Sequence, residues 1–323
     1  MPLIHNSTYR APWLFRSAHL QTIYPALIRH VPLITSERER IDTPDGDHLF
    51  LDWYRNENSN KLVILTHGLE GSSRQTYMQG MARVFSQAGW NVLAWNFRGC
   101  AGGSNNKVHS YHSGATGELQ IILDHVFKQD NFTEIALVGF SLGGNVTLKY
   151  LGERAQDLDT RIQSAVAVSV PCDLESSSYR LERKENFLYM ARFMVSLRRK
   201  IRKKMDLFPD QVKDKGLKDM WTFREFDDAY TAPMHGFKSA QDYWTQSSSK
   251  PYLPKIRIPT LLINAADDTF LPQECYPVTA ARNSDYFHLE IPFRGGHVGF
   301  VNFNRARSYW SERRALEFVE WKK

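Results

Sequence analysis

The chain has 323 residues, 42% hydrophobic and 13% aromatic, the make-up of an ordinary globular protein long enough to bury a sizeable core. Its formal net charge of +6 is local: residues 180–204 hold ten Lys/Arg against Glu182 and Glu185, and the remainder is slightly acidic, which argues against a general nucleic-acid footprint. No run approaches the ~18 apolar residues that span a bilayer, and residues 1–15 lack the unbroken apolar stretch of a signal peptide, so a cytoplasmic location is expected.

In chain order, short apolar runs predict strands at 48–53, 62–66, 92–96, 135–138, 165–170, 261–264 and 288–291, with Asp45-Gly46 as a hairpin signal just before the first. Amphipathic patterns predict helices at 75–88, 116–128, 144–153 and 305–321. This alternation predicts an α/β fold with a mostly parallel central sheet and helices on both faces. About ninety residues separate the strands at 165–170 and 261–264, more than one βαβ crossover needs. Most of that stretch reads as an inserted helical cap, giving a core of 1–171 and 245–323 and a cap of 172–244. Within the cap, Met190, Met194, Leu197, Ile201 and Met205 recur at helical spacing, with Arg198, Arg199, Lys200, Arg202, Lys203 and Lys204 crowding the far end. One reading of helix 190–205 is peripheral contact with a membrane or acidic ligand. The favoured reading packs the Met/Leu stripe on the core and leaves the charges solvated. The aromatic residues of 221–244 read as pocket lining or, more simply, as core.

Cys100, Cys172 and Cys275 are far apart in sequence and form no C-x-x-C pair, so they read as reduced thiols. His109 and His112 could share a helical face, but no third ligand is evident. Neither a metal nor a cofactor is expected.

The run Gly139-Phe140-Ser141-Leu142-Gly143 follows a predicted strand and precedes a predicted helix, the setting that G-x-S-x-G requires. The turn forces Ser141 into a strained backbone, and Gly139 and Gly143 let strand and helix approach closely. A simpler reading makes Ser141 a helix N-cap. A nucleophilic serine needs a base and an orienting acid, and in this arrangement they follow in the order Ser, acid, His. Asp268 in Ala265-Ala-Asp-Asp268 is the expected acid, with Asp267 as the fallback. His297 in Gly295-Gly-His297-Val-Gly is the expected base. His288 lies inside a strand and His235 precedes the acid, so both are weaker candidates. The oxyanion donors are expected to be the backbone N–H groups of Leu142 and, in the loop His67-Gly68-Leu69-Glu70-Gly71, of Leu69. His67 itself can be purely structural.

HGLEGSS (67–73), NFRGCAG (96–102), YHSG (111–114), GFSLGGN (139–145), REFDD (224–228), HGF (235–237), AADD (265–268), GGHVGF (295–300) and AHLQTI (18–23) together resemble the YheT-type branch of the α/β-hydrolases over almost the whole chain. The resemblance implies an α/β-hydrolase fold and a serine carboxylesterase acting on short-chain or lipid acyl esters, with Ser141, Asp268 and His297 as its triad. Eukaryotic members are linked to acylglycerol and phospholipid hydrolysis and often carry an N-terminal membrane anchor, which is not expected here. Ala115 and Gly117 depart from the pattern, standing where acidic residues are more usual. Two other functions fit the same residues: a thioesterase or acyltransferase on this triad, and a hydrolase-like protein that docks on a membrane or partner without catalysis. Oligomeric state is left open.

Overall fold

A computed structural model describes residues 2–32, 34–129 and 132–321. The strands are β1 (Leu3–Ile4), β2 (Glu37–Asp42), β3 (His48–Tyr54), β4 (Lys61–Thr66), β5 (Asn91–Asn96), β6 (Glu134–Phe140), β7 (Ile162–Val168), β8 (Thr260–Ile263) and β9 (Phe287–Glu290). The helices are α1 (Ala18–Leu27), α2 (Thr76–Gln87), α3 (Thr116–Gln129), α4 (Leu142–Glu153), α5 (Leu174–Leu181), α6 (Phe187–Leu207), α7 (Phe223–Phe226), α8 (Ala232–Met234), α9 (Ala240–Ser247), α10 (Val278–Arg282) and α11 (Trp310–Val319).

One sheet runs in the order β1-β9-β8-β7-β6-β4-β5-β3-β2. It is parallel from β1 to β5, and β3 and β2 close the far edge as an antiparallel hairpin. Alternation along the strands builds two cores. Leu62 and Ile64 of β4 pack with α3 and α4, whereas Val63 and Leu65 pack with α2 and α11 on the other face. All seven expected strands and all four expected helices are present. The sheet is the expected α/β arrangement, mostly parallel with helices on both faces.

Four elements outside the cap escaped the sequence reading, one of them the short helix α10. β1 is too short to show a pattern. β2 reads Glu-Arg-Glu-Arg-Ile-Asp, and only Ile41 of it is buried. Its charges suit an edge strand, where they discourage pairing with another chain. The hairpin signal at Asp45-Gly46 therefore joins two strands, β2 and β3, with Gly46 at φ +78°.

The fourth is α1, whose orientation is inverted: its buried residues are Gln21 and Pro25, and Leu20 and Leu27 face outward. Gln21 explains why. Its amide nitrogen donates to Tyr9 Oη and to the Phe15 carbonyl, each at 2.8 Å, and its Oε1 accepts the Val301 N–H at 2.8 Å. The side chain thus serves three partners, two of them buried. Each buried group left unpaired costs about 1–3 kcal/mol, so Gln21→Leu, which keeps the volume and removes the bonds, is expected to destabilise the fold by about 3 kcal/mol. The urea midpoint of the variant against the parent measures this.

Candidate active site

Ser141 sits between β6 and α4 at φ 52°, ψ −120°, a backbone conformation that a non-glycine residue adopts at a cost of about 1–3 kcal/mol. Sequence and packing force it. A Cβ on Gly139 would lie 2.5 Å from the Gly143 carbonyl oxygen, and one on Gly143 would lie 2.4 Å from the carbonyl oxygens of Thr66 and His67. Strand and helix can therefore approach this closely only because both positions are glycine. The turn is held by Ser141 N–H to the Val168 carbonyl at 2.9 Å and Asn145 N–H to the Ser141 carbonyl at 3.0 Å. The side chain makes no cap hydrogen bond to α4, so the N-cap reading of Ser141 does not hold.

His297 Nε2 lies 3.0 Å from Ser141 Oγ, and its Nδ1 lies 2.9 Å from Asp268 Oδ2. A carboxylate only accepts, so Nδ1 carries the proton and Nε2 faces the serine hydroxyl as an acceptor. Asp268 is buried, and its other oxygen accepts the Phe270 N–H at 2.9 Å. The Phe270 ring stacks on the imidazole at a centroid distance of 4.1 Å. Asp267, the fallback acid, turns to the other side and holds the Gly296 N–H at 2.9 Å. His288 is buried in β9 against Phe318 and Trp321. His235 packs edge-on against His109 and at a tilt against His112. Neither is the imidazole bonded to Ser141.

The loop 295–300 that carries His297 is gripped from two sides, and its grips were invisible in the sequence. Thr22 Oγ1 in α1 accepts the His297 N–H at 2.9 Å, and Ser169 Oγ after β7 accepts the Val298 N–H at 2.8 Å. Gly296, at φ 56°, lies so close to α1 that a Cβ would meet the Ala18 carbonyl oxygen at 2.5 Å. Glu70, Ser141, Ser169 and Val298, all non-glycine residues at positive φ, belong to the loops that meet here. The AHLQTI run, which had no assigned role, is the brace of this loop. Only a contact map could have revealed it, because its partners lie at the other end of the chain.

The loop 67–71 abuts the serine: a Cβ on Gly68 would stand 3.2 Å from Ser141 Cβ. Around Leu69, the Gly68 N–H goes to Tyr77 Oη at 3.0 Å and the Glu70 N–H to Tyr111 Oη at 2.8 Å. Leu69 and Leu142 line the same cavity as Ser141 and His297. His67 is buried beneath the loop. Its Nε2 accepts the Phe97 N–H at 3.1 Å, so Nδ1 carries the hydrogen and donates to the Gly68 carbonyl at 2.7 Å. It is a structural residue that does not line the cavity.

Helix α6 latches onto this loop. Lys200 Nζ reaches Glu70 Oε1 at 2.6 Å, with Ser196 Oγ at 2.5 Å and Tyr111 Oη at 2.7 Å on the same carboxylate. Burial alone would raise the Glu70 carboxyl, but the Lys200 ammonium and the hydrogen bonds from Lys200, Ser196 and Tyr111 together outweigh it and hold the carboxyl below its usual range. Lys204 is also buried and donates to Asn105 Oδ1 at 2.6 Å. The stripe Met190, Met194 and Ile201 packs on the core as expected, but three of the six basic residues at 198–204 turn inward instead of being solvated: Lys200, Lys204 and Arg198, whose guanidinium donates to the Met220 carbonyl. Burial pushes Lys204 down to about 8.

The cavity above Ser141 measures about 140 Å³. Its walls come from α5, α6, α7 and α9, with Phe223, Phe226, Tyr230, Tyr243 and Trp244 both buried and facing it. The two readings of these aromatics are therefore one: core residues line the pocket. Trp221 instead is half exposed. The REFDD segment is architectural. Glu225 closes a capping box with Thr222, Asp228 accepts the Ala240 N–H at 2.6 Å, and Asp227 accepts Trp244 Nε1–H at 2.8 Å within a π-helical turn. Burial raises Asp227 to about 7.

His109 and His112 lie outside any helix, and among the described residues no group of three His, Cys, Asp or Glu could hold a metal ion. The three cysteines are free, and Cys172 and Cys275, remote in sequence, are both buried. No helix among the described residues is long and apolar enough to cross a membrane.

Residues 61–302 match the α/β-hydrolase fold family. The chain is 34% identical over 293 residues to the inferred esterase YheT of Escherichia coli (strain K12), covering 89% of this chain and 85% of that one. It is 29% identical to "Phospholipase ABHD3" of Mus musculus, covering 93% and 74%. Among solved structures, the Pyrococcus furiosus esterase Pf2001 superposes with a TM-score of 0.59 at 21% identity, covering 90% and 96%, which speaks to the fold.

Two outcomes follow from the buried charges. Removing one partner of a buried ion pair costs about 3–5 kcal/mol. Lys200→Met is expected to destabilise by the lower end of that range, and Glu70→Gln with Lys200→Met together by much less, as a double-mutant cycle in urea reads directly. Burial also pushes His67 down to about 4, His112 to about 3 and His235 to about 4. The unfolded chain protonates these rings near pH 6.5 and the folded chain does not. Stability from them is thus complete above pH 6.5 and falls as pH drops toward 4. The urea midpoint is expected to fall over that window, and to fall less steeply in His235→Gln.

Proposed function

The chain belongs to the α/β-hydrolase family, in its YheT-type branch, and we propose that it is a carboxylic ester hydrolase working through Ser141, His297 and Asp268. The observation that carries this is the imidazole of His297, bonded at once to the serine hydroxyl and to a buried carboxylate. Ser141 Oγ attacks the ester carbonyl as His297 Nε2 takes its proton. Asp268 keeps the imidazole in the productive tautomer and stabilises its charged form. Negative charge on the carbonyl oxygen is met by the backbone N–H groups of Leu142, at the positive end of α4, and of Leu69. His297 then protonates the leaving alcohol, and water repeats the sequence on the acyl-enzyme.

Residues 172–244 act as the cap that excludes water and shapes the acyl site. The void beneath it, about 140 Å³, is close to the ~150 Å³ that accommodates a benzene-sized guest. In this closed form the site suits a short acyl group, and a long lipid chain needs α6 or α7 to give way. The esterase and phospholipase names of the relatives support an ester substrate. The reaction calls for no cofactor. A cytoplasmic location stays part of this proposal, whereas helix 190–205 packs its apolar stripe on the core and ties Lys200 and Lys204 to internal partners, which speaks against a membrane contact through its basic end.

A fluorophosphonate probe is expected to label the wild-type protein and not Ser141→Ala. His297→Gln and Asp268→Asn are expected to lower kcat by about 10⁴-fold, and Leu69→Ala far less, because its donor is backbone. Labelling that persists in Ser141→Ala ends the assignment. On p-nitrophenyl esters the butyrate is expected to turn over faster than the palmitate.

A further inference from the structure

The inverted helix α1 leaves an apolar surface that nothing among the described residues covers. Leu20 and Leu27 are 49% and 70% exposed, Ile28 is 66%, and the preceding turn adds Trp13 at 75% and Leu14 at 59%. Phe303, 60% exposed, belongs to the same surface, because its ring packs on Phe15 and Tyr24. Burying Gln21 and exposing six large apolar side chains runs against what a water-facing helix does, and a patch of this kind marks an interaction site.

Charge says which partner fits. Residues 2–36 contain no Asp or Glu, and α6 has none between residues 187 and 205. Arg10 and Arg16 flank the apolar turn, Arg294 donates to the Arg16 carbonyl, and Arg305 and Arg307 follow Phe303 in an exposed loop. His19 of α1 joins Tyr189 of α6 at 2.9 Å, and there Phe187 and Leu188 are again exposed. A second copy of the chain docked here by two-fold symmetry would set arginine against arginine, with no carboxylate from residues 2–36 or 187–205 to offset them. A nucleic acid would leave the leucines and the tryptophan unburied. A lipid surface satisfies both features, taking the apolar side chains below its headgroups, Trp13 at the interface and the arginines against its phosphates.

We propose that the outer face of α1, with the turn at Trp13-Leu14 and the Phe303 loop, docks on an anionic phospholipid bilayer. The inner face of the same helix holds the His297 loop through Thr22, so docking sets the reactive centre one helix-width from the lipid. This differs from a contact through the basic end of α6, where Lys200 and Lys204 are committed to internal partners.

The test is co-sedimentation of the full chain with phosphatidylcholine vesicles, with and without phosphatidylglycerol. It compares the wild type, Leu14→Asp/Leu27→Asp, and Arg199→Gln/Arg202→Gln/Lys203→Gln. The wild type is expected to bind the anionic vesicles, and the leucine double variant to lose at least tenfold in affinity while keeping its circular dichroism and its turnover of a soluble ester. No binding to either vesicle overturns the proposal. So does binding that survives in the leucine variant, whether or not the Gln triple variant loses it. A concentration-dependent dimer in analytical ultracentrifugation that the leucine substitutions dissolve, without vesicle binding, identifies a second copy as the occupant and overturns it as well. Since binding needs no nucleophile, Ser141→Ala is expected to dock like the wild type, which separates this proposal from the assignment of the triad.

Discussion

The close approach of β6 to α4 is the constraint on which the rest of the site depends. With no Cβ at 139 or 143, the helix settles onto the carbonyls that end β4, and the intervening serine is driven to φ 52°. The strain, about 1–3 kcal/mol, is stored in one residue and offset by the parallel sheet on either side of it. The same approach brings the loop after β4 against Ser141, so one packing decision sets both the serine and the loop that flanks it.

Everything else around the serine is a matter of holding loops still. The His297 loop is clasped by Thr22, Ser169 and Asp267 through three successive backbone N–H groups. The loop at Leu69 is clasped by Tyr77, Tyr111 and the Glu70–Lys200 pair. Backbone groups that are bonded on every side cannot drift, and fixed geometry is what electrostatic stabilisation of a transient anion requires. Asn145 extends the scheme outward: its amide ties the carbonyls of Ser113 and Ser247 at 2.8 Å and accepts the Ser249 N–H at 2.9 Å, joining α4 to the segments beside the cavity.

Much of this was legible in the residues. The strands were readable because most are short, largely apolar runs bounded by polar or turn residues, and the G-x-S-x-G turn was readable because its glycines have one steric purpose. Asp268 and Asp267 could be ranked but not separated, since both follow the same strand and only the loop's path decides which one faces the imidazole. Thr22, Ser169 and Lys200 carried no local signal at all: a threonine in a helix, a serine after a strand and a lysine in a basic run look like surface residues until a distant partner arrives. β2 was missed for the opposite reason, because a strand exposed at a sheet edge has no apolar alternation to display.

The bond between Thr22 and His297 spans 275 positions. A ribosome therefore delivers the brace first and the imidazole nearly last, with the serine appearing midway. While the polypeptide is being made, the Ser141 hydroxyl has neither the imidazole of His297 nor a settled loop opposite it. The loop that carries the imidazole is therefore fixed only once the segment around Thr22 and the segment around His297 have met.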